Sequence, residues 1–299
     1  QKDGTTTLEA CMLSRWPSTM LNRKESPRMV QRRMSHWNHA ITTVEPRLVR
    51  KHCFGPVSSM SLSLILIQTQ PFAVKGFQVL EDAGISVQSG LLEHLAAEQM
   101  KPFLHWCEHR RPIVTVKLAV DANGSVDDRS EEAQRFTSEA CLDEVHRLRK
   151  DCDVILVGAE TIERDNPSLT IRRIETERQP LRVVLDPQER TDPEAIVYTD
   201  GHETMQIGAD YNGLLPLLNR LGDMEKQRLL IEGGPTTIHS FLNKGLVDEF
   251  YLVQSQVVHQ KPVPSNIDQD VLNQAGLSLH RTETWGEETV QVWLRKASQ

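Results

Sequence analysis

Apolar runs of strand length alternate with helix-patterned segments over most of the chain after residue 112. That alternation narrows the possible folds more than any other feature of the sequence. Ile113–Val120 (IVTVKLAV) reads as a clear strand. Further strands are predicted near 153–157, 181–186, 195–199, 228–232 and 248–258, and helices near 138–150, 213–221 and 235–244. Two last segments, 277–282 and 288–296, read as strands with no helix between them. Alternation followed by a strand-rich tail specifies an α/β fold on a mixed sheet with an antiparallel edge.

Upstream the pattern is weaker. Val79-Leu80 and Ala83-Gly84-Ile85-Ser86-Val87 read as a helix end, a turn and a short strand. Leu91 to Trp106 then has helical spacing, with apolar residues at Leu92, Leu95, Ala96, Met100 and Leu104. Residues 1–72 lack periodicity and are rich in Ser, Thr, Arg and Met. They read as a poorly ordered leader, with an organelle-targeting remnant as the functional alternative. Ten Lys/Arg against four Asp/Glu give residues 1–53 a net +6, which leaves −13 of the formal −7 to the rest. An acidic body argues against a nucleic-acid partner, because phosphate backbone calls for a positive patch. No apolar run reaches bilayer-spanning length, so no membrane partner is expected. The five cysteines are scattered without a C-x-x-C pair. Neither a metal site nor a disulfide framework is expected, and a reducing compartment fits, cytoplasmic or organellar.

Three places carry candidate chemistry. The strand in DVILVGAETIERDNPSLTIRR (Asp153 to Arg173) stops at Gly158-Ala159 and leads into Thr161, Arg164, the turn Asp165-Asn166-Pro167-Ser168, Arg172 and Arg173. On the preceding helix, at about 100° per residue, Cys141, Leu142, Val145 and Leu148 define the buried face. Arg149 projects about 50° from the centre of that stripe and Arg147 nearly opposite. A guanidinium edging into an apolar face needs an anionic partner, either a carboxylate of the protein or a ligand phosphate. Arg172, with Arg149, is a candidate phosphate clamp. The third place is LLIEGGPTT (Leu229 to Thr237), where a strand meets Gly233-Gly234 and Pro235 opens a helix. Glycines admit a ligand to the backbone, and a helix N-terminus attracts anions. Glu232 stands at the carboxyl end of the strand, where open α/β sheets place ligands. G-x-G-x-x-G after a strand, G-x-x-x-x-G-K-[ST] and G-x-S-x-G are all missing from the sequence.

Six blocks follow one another across residues 111–249. They are Arg111 to Ala119 (RPIVTVKLA), Val145 to Arg149 (VHRLR), Ile155 to Thr161 (ILVGAET), Asp165 to Thr170 (DNPSLT), Glu232 to Thr236 (EGGPT) and Gly245 to Glu249 (GLVDE). Together they resemble the reductase domain of the riboflavin-biosynthesis deaminase–reductases. The resemblance implies a three-layer, dihydrofolate-reductase-like mixed sheet over residues 111–299, with helices on both faces and antiparallel C-terminal strands. It also implies a homodimer that uses NADPH on a phosphorylated pyrimidine. Thr161 and Asp165 would then face the cofactor, with a backbone contact from Ala119. The segment opening with Gly234, Pro235, Thr236 and Thr237 would wrap the cofactor's phosphates. Ser168, Leu169, Arg149 and Arg172 would hold the substrate's ribose phosphate, and Glu232 would touch the substrate. Glu232 and Asp165 are the candidates for relaying a proton. The implied reaction delivers hydride to C1′ of 5-amino-6-(5-phosphoribosylamino)uracil, or of the earlier 2,5-diamino pyrimidinone.

The chain also departs from the pattern. Asp121-Ala122-Asn123-Gly124 stands where the family usually has Ser-Leu-Asp-Gly, and Ala133-Gln134-Arg135-Phe136 replaces a Gly-Glu-Ser-x-Trp stretch. These changes motivate a second expectation, a catalytically silent scaffold of the same fold. A third is reduction of a different small carbonyl or imine. Lys75 to Leu80, Ala83 to Val87 and Gly90 to Glu93 resemble a deaminase tail over a connector at residues 73–110. No H-x-E or P-C-x-x-C lies upstream of it, so no deaminase activity is expected.

Overall fold

The structure, a computed structural model, describes residues 62–64, 87–89, 93–130 and 136–296. Beyond residues 62–64, the expected leader lies outside the described residues. The chain divides into two compact units between Glu108 and His109. In the first, β1 (Leu62–Leu64) pairs in parallel with β2 (Val87–Ser89). The helix α1 (Glu93–His109) packs Phe103 against Trp106 and Cys107.

The second unit holds the remaining elements. In order they are β3 (Ile113–Val120), β4 (Ser125–Asp127), α2 (Glu139–Lys150), β5 (Val154–Gly158), α3 (Ala159–Asp165) and β6 (Leu181–Leu185). Next come α4 (Ile196–Thr199), β7 (Thr204–Ile207), α5 (Leu214–Asp223), β8 (Arg228–Ile231) and α6 (Pro235–Asn243). The chain then runs through β9 (Glu249–Gln254), β10 (Val263–Pro264), α7 (Gln269–Gln274), β11 (Leu277–Trp285) and β12 (Glu288–Arg295). Eight strands form one sheet in the order β11-β12-β9-β3-β8-β5-β6-β7. From β9 to β7 every pairing is parallel, whereas β12 pairs antiparallel with both β9 and β11. This is the mixed sheet with antiparallel C-terminal strands that the sequence implies.

Alternating strand residues sort the core into two layers. Val114, Val116, Val154, Leu156, Leu229 and Ile231 face α5, α6 and α7. Ile155, Val157, Val184 and Leu230 face α3 and α4, while Cys141 and Val145 of α2 pack with Val253, Val290 and Val292. Helices on both faces explain why all five residues of β5 are buried. The turn into β12 fixes the start of α2. Glu288 accepts the Ser138 N–H and hydroxyl, both at 2.6 Å, and the Ser138 hydroxyl oxygen caps Cys141 N–H. Gly286 (φ 66°) belongs there, since a Cβ would stand 2.5 Å from Ser138 Oγ.

The structure corrects one predicted element. Residues 196–199 form the short helix α4, and the strand beside β6 is β7 at 204–207. Ile196, Val197 and Tyr198 have strand propensity, yet tertiary contacts override it. Asn166 Oδ1 accepts the Ile196 N–H at 2.8 Å, and Arg182 Nη2 donates to Val197 O at 2.8 Å. Arg182, on β6 and 1% exposed, also pairs twice with Asp200 at 2.7 Å and donates to the Ser168 and His202 carbonyls. Arg182→Met should therefore lower the unfolding free energy by about 3 kcal/mol, because it takes the guanidinium from the Asp200 carboxylate and from the Ser168 and His202 carbonyls and sets an apolar side chain among them. Urea denaturation checks this, and a loss under about 1 kcal/mol would mean that α4 holds its place without the guanidinium.

Candidate active site

β5 and β8 pair in parallel, and each runs into a helix at its carboxyl end. No side chain caps the N-terminus of α3 or α6, and Pro235 occupies the first turn of α6 as the sequence suggests. Their N–H groups therefore open onto a common space. The two mouths are very close. A Cβ on Gly158 would stand 2.5 Å from Thr237 Oγ1, and one on Gly233 would stand 3.2 Å from Thr237 Cβ. Thr161 Oγ1 is 4.0 Å from the position of a Cβ on Gly234. Thr161, Gly234 and Thr237 thus share one cradle, with Pro235 and Thr236 continuing α6. Asp165 is exposed at the last turn of α3, on the helix face of Thr161 four residues earlier. Its neighbour Arg164 grips Asp127 of β4 through two bonds of 2.9 Å.

Ala119 reaches the same space through its backbone. Even-numbered residues of β3 turn their peptide groups to β9, as Val114 O and Val120 O show by accepting from Asp248 and Ser255. Odd-numbered ones turn to β8, as Ile113 N–H shows by donating to Gln227 O. Pairing with β8 ends at Val116–Ile231. By this alternation the N–H and carbonyl of Ala119 point past the end of β8, toward Glu232-Gly233-Gly234.

Glu232 follows β8 on the face that carries Leu230, and there it meets Arg149 of α2. Arg149 Nε and Nη2 donate to the two carboxylate oxygens at 2.6 and 2.8 Å, and Nη1 donates to Thr170 O at 3.0 Å. The side chains are 11% and 10% exposed. Burial opposes ionisation of Glu232. The charge and hydrogen bonds of Arg149, helped by the charge of Lys117, outweigh it and hold the carboxyl below its usual range. The stripe on α2 is turned toward this pair, for Cys141, Val145, His146 and Arg149 are buried while Leu142 and Leu148 are half-buried.

The segment after α3 is held mainly through its backbone. Asn166 and Leu169 adopt positive φ (39° and 53°). Arg182 holds Ser168 O, Arg149 holds Thr170 O, Gln179 holds both peptide groups of Ile171, and His146 Nδ1 accepts Arg172 N–H at 3.2 Å. The Ser168 hydroxyl meets Thr170 Oγ1 at 3.1 Å and accepts from Arg172 Nη1 at 2.8 Å. Leu169 is buried in the core beneath α3 and α4.

The structure brings Glu232 and Arg149 together and places Ser168 beside Arg172. It changes the expected clamp. Of the two partners considered for Arg149, the structure contains the protein carboxylate, and three of the five guanidinium N–H groups are engaged. The other arginine of the expected clamp, Arg172, donates from Nη1 to Ser168 Oγ. Three contributors went unread in the sequence. Lys117 reads as an ordinary strand position, although its charge acts on Glu232 and Cys141. His146 and Arg182 bind backbone groups remote in sequence, which no local pattern announces. Among the described residues, no group of three or more His, Cys, Asp and Glu could hold a metal ion. A pocket of about 200 Å³ beside β7, lined by Ile207, Tyr211, Leu217 and Arg220 among others, contains none of these residues.

Residues 112–290 match the model of the RibD C-terminal domain family. The chain is 31% identical over 194 residues to riboflavin biosynthesis protein RibD of Aquifex aeolicus, covering 58% of this chain and 54% of that one. It is 30% identical over 210 residues to the 2,5-diamino-6-ribosylamino-4(3H)-pyrimidinone 5′-phosphate reductase of Methanothermobacter thermautotrophicus, covering 60% of this chain and 96% of that one. The solved structure of Acinetobacter baumannii RibD superposes with a TM-score of 0.69 at 26% identity, covering 79% of this chain and 73% of that one. The chain thus spans about half the length of several RibD relatives that it matches.

The buried pair has a pH signature. Removing one partner leaves the other charge uncompensated, so Glu232→Gln should lower stability at neutral pH by about 3 kcal/mol. The folded carboxyl lies below its ordinary 4.5, so the pair's contribution is complete above that pH and is lost as pH falls through the lower folded value. The gap between wild type and Glu232→Gln should therefore narrow in acid. Denaturation curves from neutral pH downward check it, and a pH-independent gap would deny the carboxylate its charged role.

Proposed function

The chain belongs to the RibD C-terminal domain family, and from that premise we propose that it reduces 5-amino-6-(5-phosphoribosylamino)uracil to the ribitylamino product with NADPH, the reductase step of riboflavin biosynthesis. The observation that carries this reading is the grouping of three features at the carboxyl ends of β3, β5 and β8. They are the open mouth of α6, the Glu232–Arg149 pair, and the pinned loop bearing Ser168 and Arg172.

The residues present suit a phosphate-bearing nicotinamide dinucleotide. Gly233 and Gly234 bring backbone close, the α6 N-terminus favours an anion, and the Thr161 and Thr237 hydroxyls lie between the two helix mouths. The Ala119 N–H and carbonyl, a donor and an acceptor side by side, match a carboxamide. Ala119, Thr161, Asp165 and the run Gly234, Pro235, Thr236 and Thr237 would hold the cofactor. When bound, it supplies the hydride that reduces C1′.

The chain's own groups do the rest. Arg172, with the Ser168 hydroxyl and the remaining N–H groups of Arg149, binds the ribose phosphate, and Leu169 shapes the loop beneath it. Opening the glycosylamine gives an imine carbon that accepts hydride while its nitrogen takes a proton. Glu232 is held ionised, so it orients substrate by accepting hydrogen bonds rather than by giving up a proton. Lys117 places a positive charge near that carboxylate, and Asp165 is exposed at the rim. A homodimer is part of the proposal.

The Methanothermobacter thermautotrophicus relative favours a second reading, in which the substrate is the 2,5-diamino pyrimidinone phosphate. The upstream deaminase-like segment favours the uracil compound. Cofactor absorbance, followed with purified chain and each pyrimidine phosphate, separates the two. The expected result is faster NADPH oxidation with the uracil compound, and slower oxidation with NADH. Oxidation with neither compound would overturn the reading in favour of the silent scaffold. Arg172→Ala should raise KM for the pyrimidine by about tenfold or more, the effect of losing a charged hydrogen bond, with kcat within a few-fold. An unchanged KM would remove Arg172 from the site.

A further inference from the structure

His146 lies on α2 three residues before Arg149, so the two side chains occupy one stretch of helix surface. It is 3% exposed. A polar group buried that deeply has to find its partners inside the protein. Nδ1 finds one in the backbone N–H of Arg172, 26 residues along the chain and 3.2 Å away. An accepting Nδ1 carries no proton, so the ring is the tautomer with its proton on Nε2. Burial, reinforced by the charges of Arg149 and Arg172 and opposed by Glu232, pushes the imidazole down to about 4. The acceptor therefore persists at neutral pH.

The contact falls where the loop turns from fixed backbone to outward-reaching side chain. One residue earlier, Gln179 binds Ile171 as a strand neighbour would, accepting its N–H at 2.7 Å and donating to its carbonyl at 2.9 Å. Ile171 is buried and Arg172 is exposed. Fixing the Arg172 peptide fixes the direction in which its side chain leaves the loop. The guanidinium then lies against Ser168 Oγ at 2.8 Å.

We infer that His146 is a positioning residue for the substrate's phosphate, acting through Arg172 and touching neither substrate nor cofactor. Its Nδ1 holds the Arg172 main chain so that the anion meets a preset array of donors instead of a loop that must order as it binds. Ordering one residue at the moment of binding weakens affinity by about tenfold. The inference rests on the phosphate-binding role proposed for Arg172, but not on which pyrimidine is reduced or whether turnover occurs.

The test compares His146→Leu, which keeps bulk and removes the acceptor, with His146→Asn, whose Oδ1 takes the Nδ1 position. The full chain is used, with ribose 5-phosphate as the probe, titrated by phosphorus NMR. Amide hydrogen exchange at Arg172 and NADPH affinity are measured beside it. For His146→Leu the expected results are about tenfold weaker ribose 5-phosphate binding, faster exchange at Arg172 and NADPH affinity within about twofold of wild type. His146→Asn should restore probe binding to within about threefold of wild type. If His146→Leu does not fold, His146→Gln replaces it, since its carbonyl stands at the Nε2 position and misses the Arg172 N–H. Undiminished ribose 5-phosphate binding in the Leu or Gln variant overturns the inference. So does an Asn variant as weak as they are, a parallel loss of NADPH affinity, or a wild type that does not bind the probe. A wild type that passes these measurements yet reduces neither pyrimidine supports the positioning role and removes the proposed function.

Discussion

The Arg149–Glu232 pair is the interaction on which the arrangement of this site depends. It joins α2, on one face of the sheet, to the carboxyl end of β8, and its third bond reaches into the loop after α3. Such a pair adds little net stability over apolar residues of the same size, because desolvating two ions offsets most of their attraction. Its value is geometric. Two parallel bonds between a planar guanidinium and a planar carboxylate fix distance and direction together. Any shift of α2 against β8 then leaves two charges partly unpaired in a dry setting. The buried position of a charged residue on α2, the acid at the end of β8 and the course of the loop are one structural fact.

The loop from Asn166 to Arg172 extends that logic. Its pins come from α2 through Arg149 and His146, from β6 through Arg182, and from Gln179 just ahead of β6. All four act on backbone atoms. Apart from Arg149, the residues that hold the loop are therefore not the ones that would meet a ligand, and Ser168 and Arg172 need not hold the backbone in place. Preorganisation of this kind moves the entropic cost of ordering into folding, leaving more interaction energy for binding. It also separates the site into two parts of different character. The α6 mouth, with Gly233, Gly234 and Thr237, offers backbone N–H groups and hydroxyls, whereas the loop offers a guanidinium.

Much of the scaffold was legible because it obeys local rules. Ile113–Val120 is a strand over its whole predicted length, and the helices at 139–150, 214–223 and 235–243 fall within about two residues of expectation. The failure at 195–199 is equally instructive, since Ile196-Val197-Tyr198 carries strand propensity in isolation and a partner 30 residues upstream decides otherwise. Arg149 was legible as a charge that needed a partner, because helix geometry alone places it near the apolar stripe. Its partner was not, since Glu232 lies 83 residues away and periodicity says nothing about pairing at that separation. Lys117, His146 and Arg182 share this opacity. Each acts across the sheet or across a loop, and each looks ordinary among its neighbours.

The departure at Asp121-Ala122-Asn123-Gly124 shows what a local mismatch can conceal. Asp121 is fully buried, and its carboxylate accepts the N–H groups of Asn123, Ser125 and His259 at 2.7 to 2.8 Å. Those bonds, outweighing its burial, hold the carboxyl below its usual range. Gly124 takes φ 82°, which a side chain rarely adopts. Ser125 then ties the turn to Val263, and Phe136 packs edge-on against His259 at 4.7 Å. A segment drifting without constraint would not keep a buried carboxylate with three backbone donors converging on it, because each unsatisfied group would cost about 1–3 kcal/mol. The block is thus a built connection between the end of β3 and the segment after β9, lying at the end of the sheet to which Ala119 turns its peptide group. Its residues differ from the pattern the chain resembles, and in this chain they tie that end of β3 to the segment after β9.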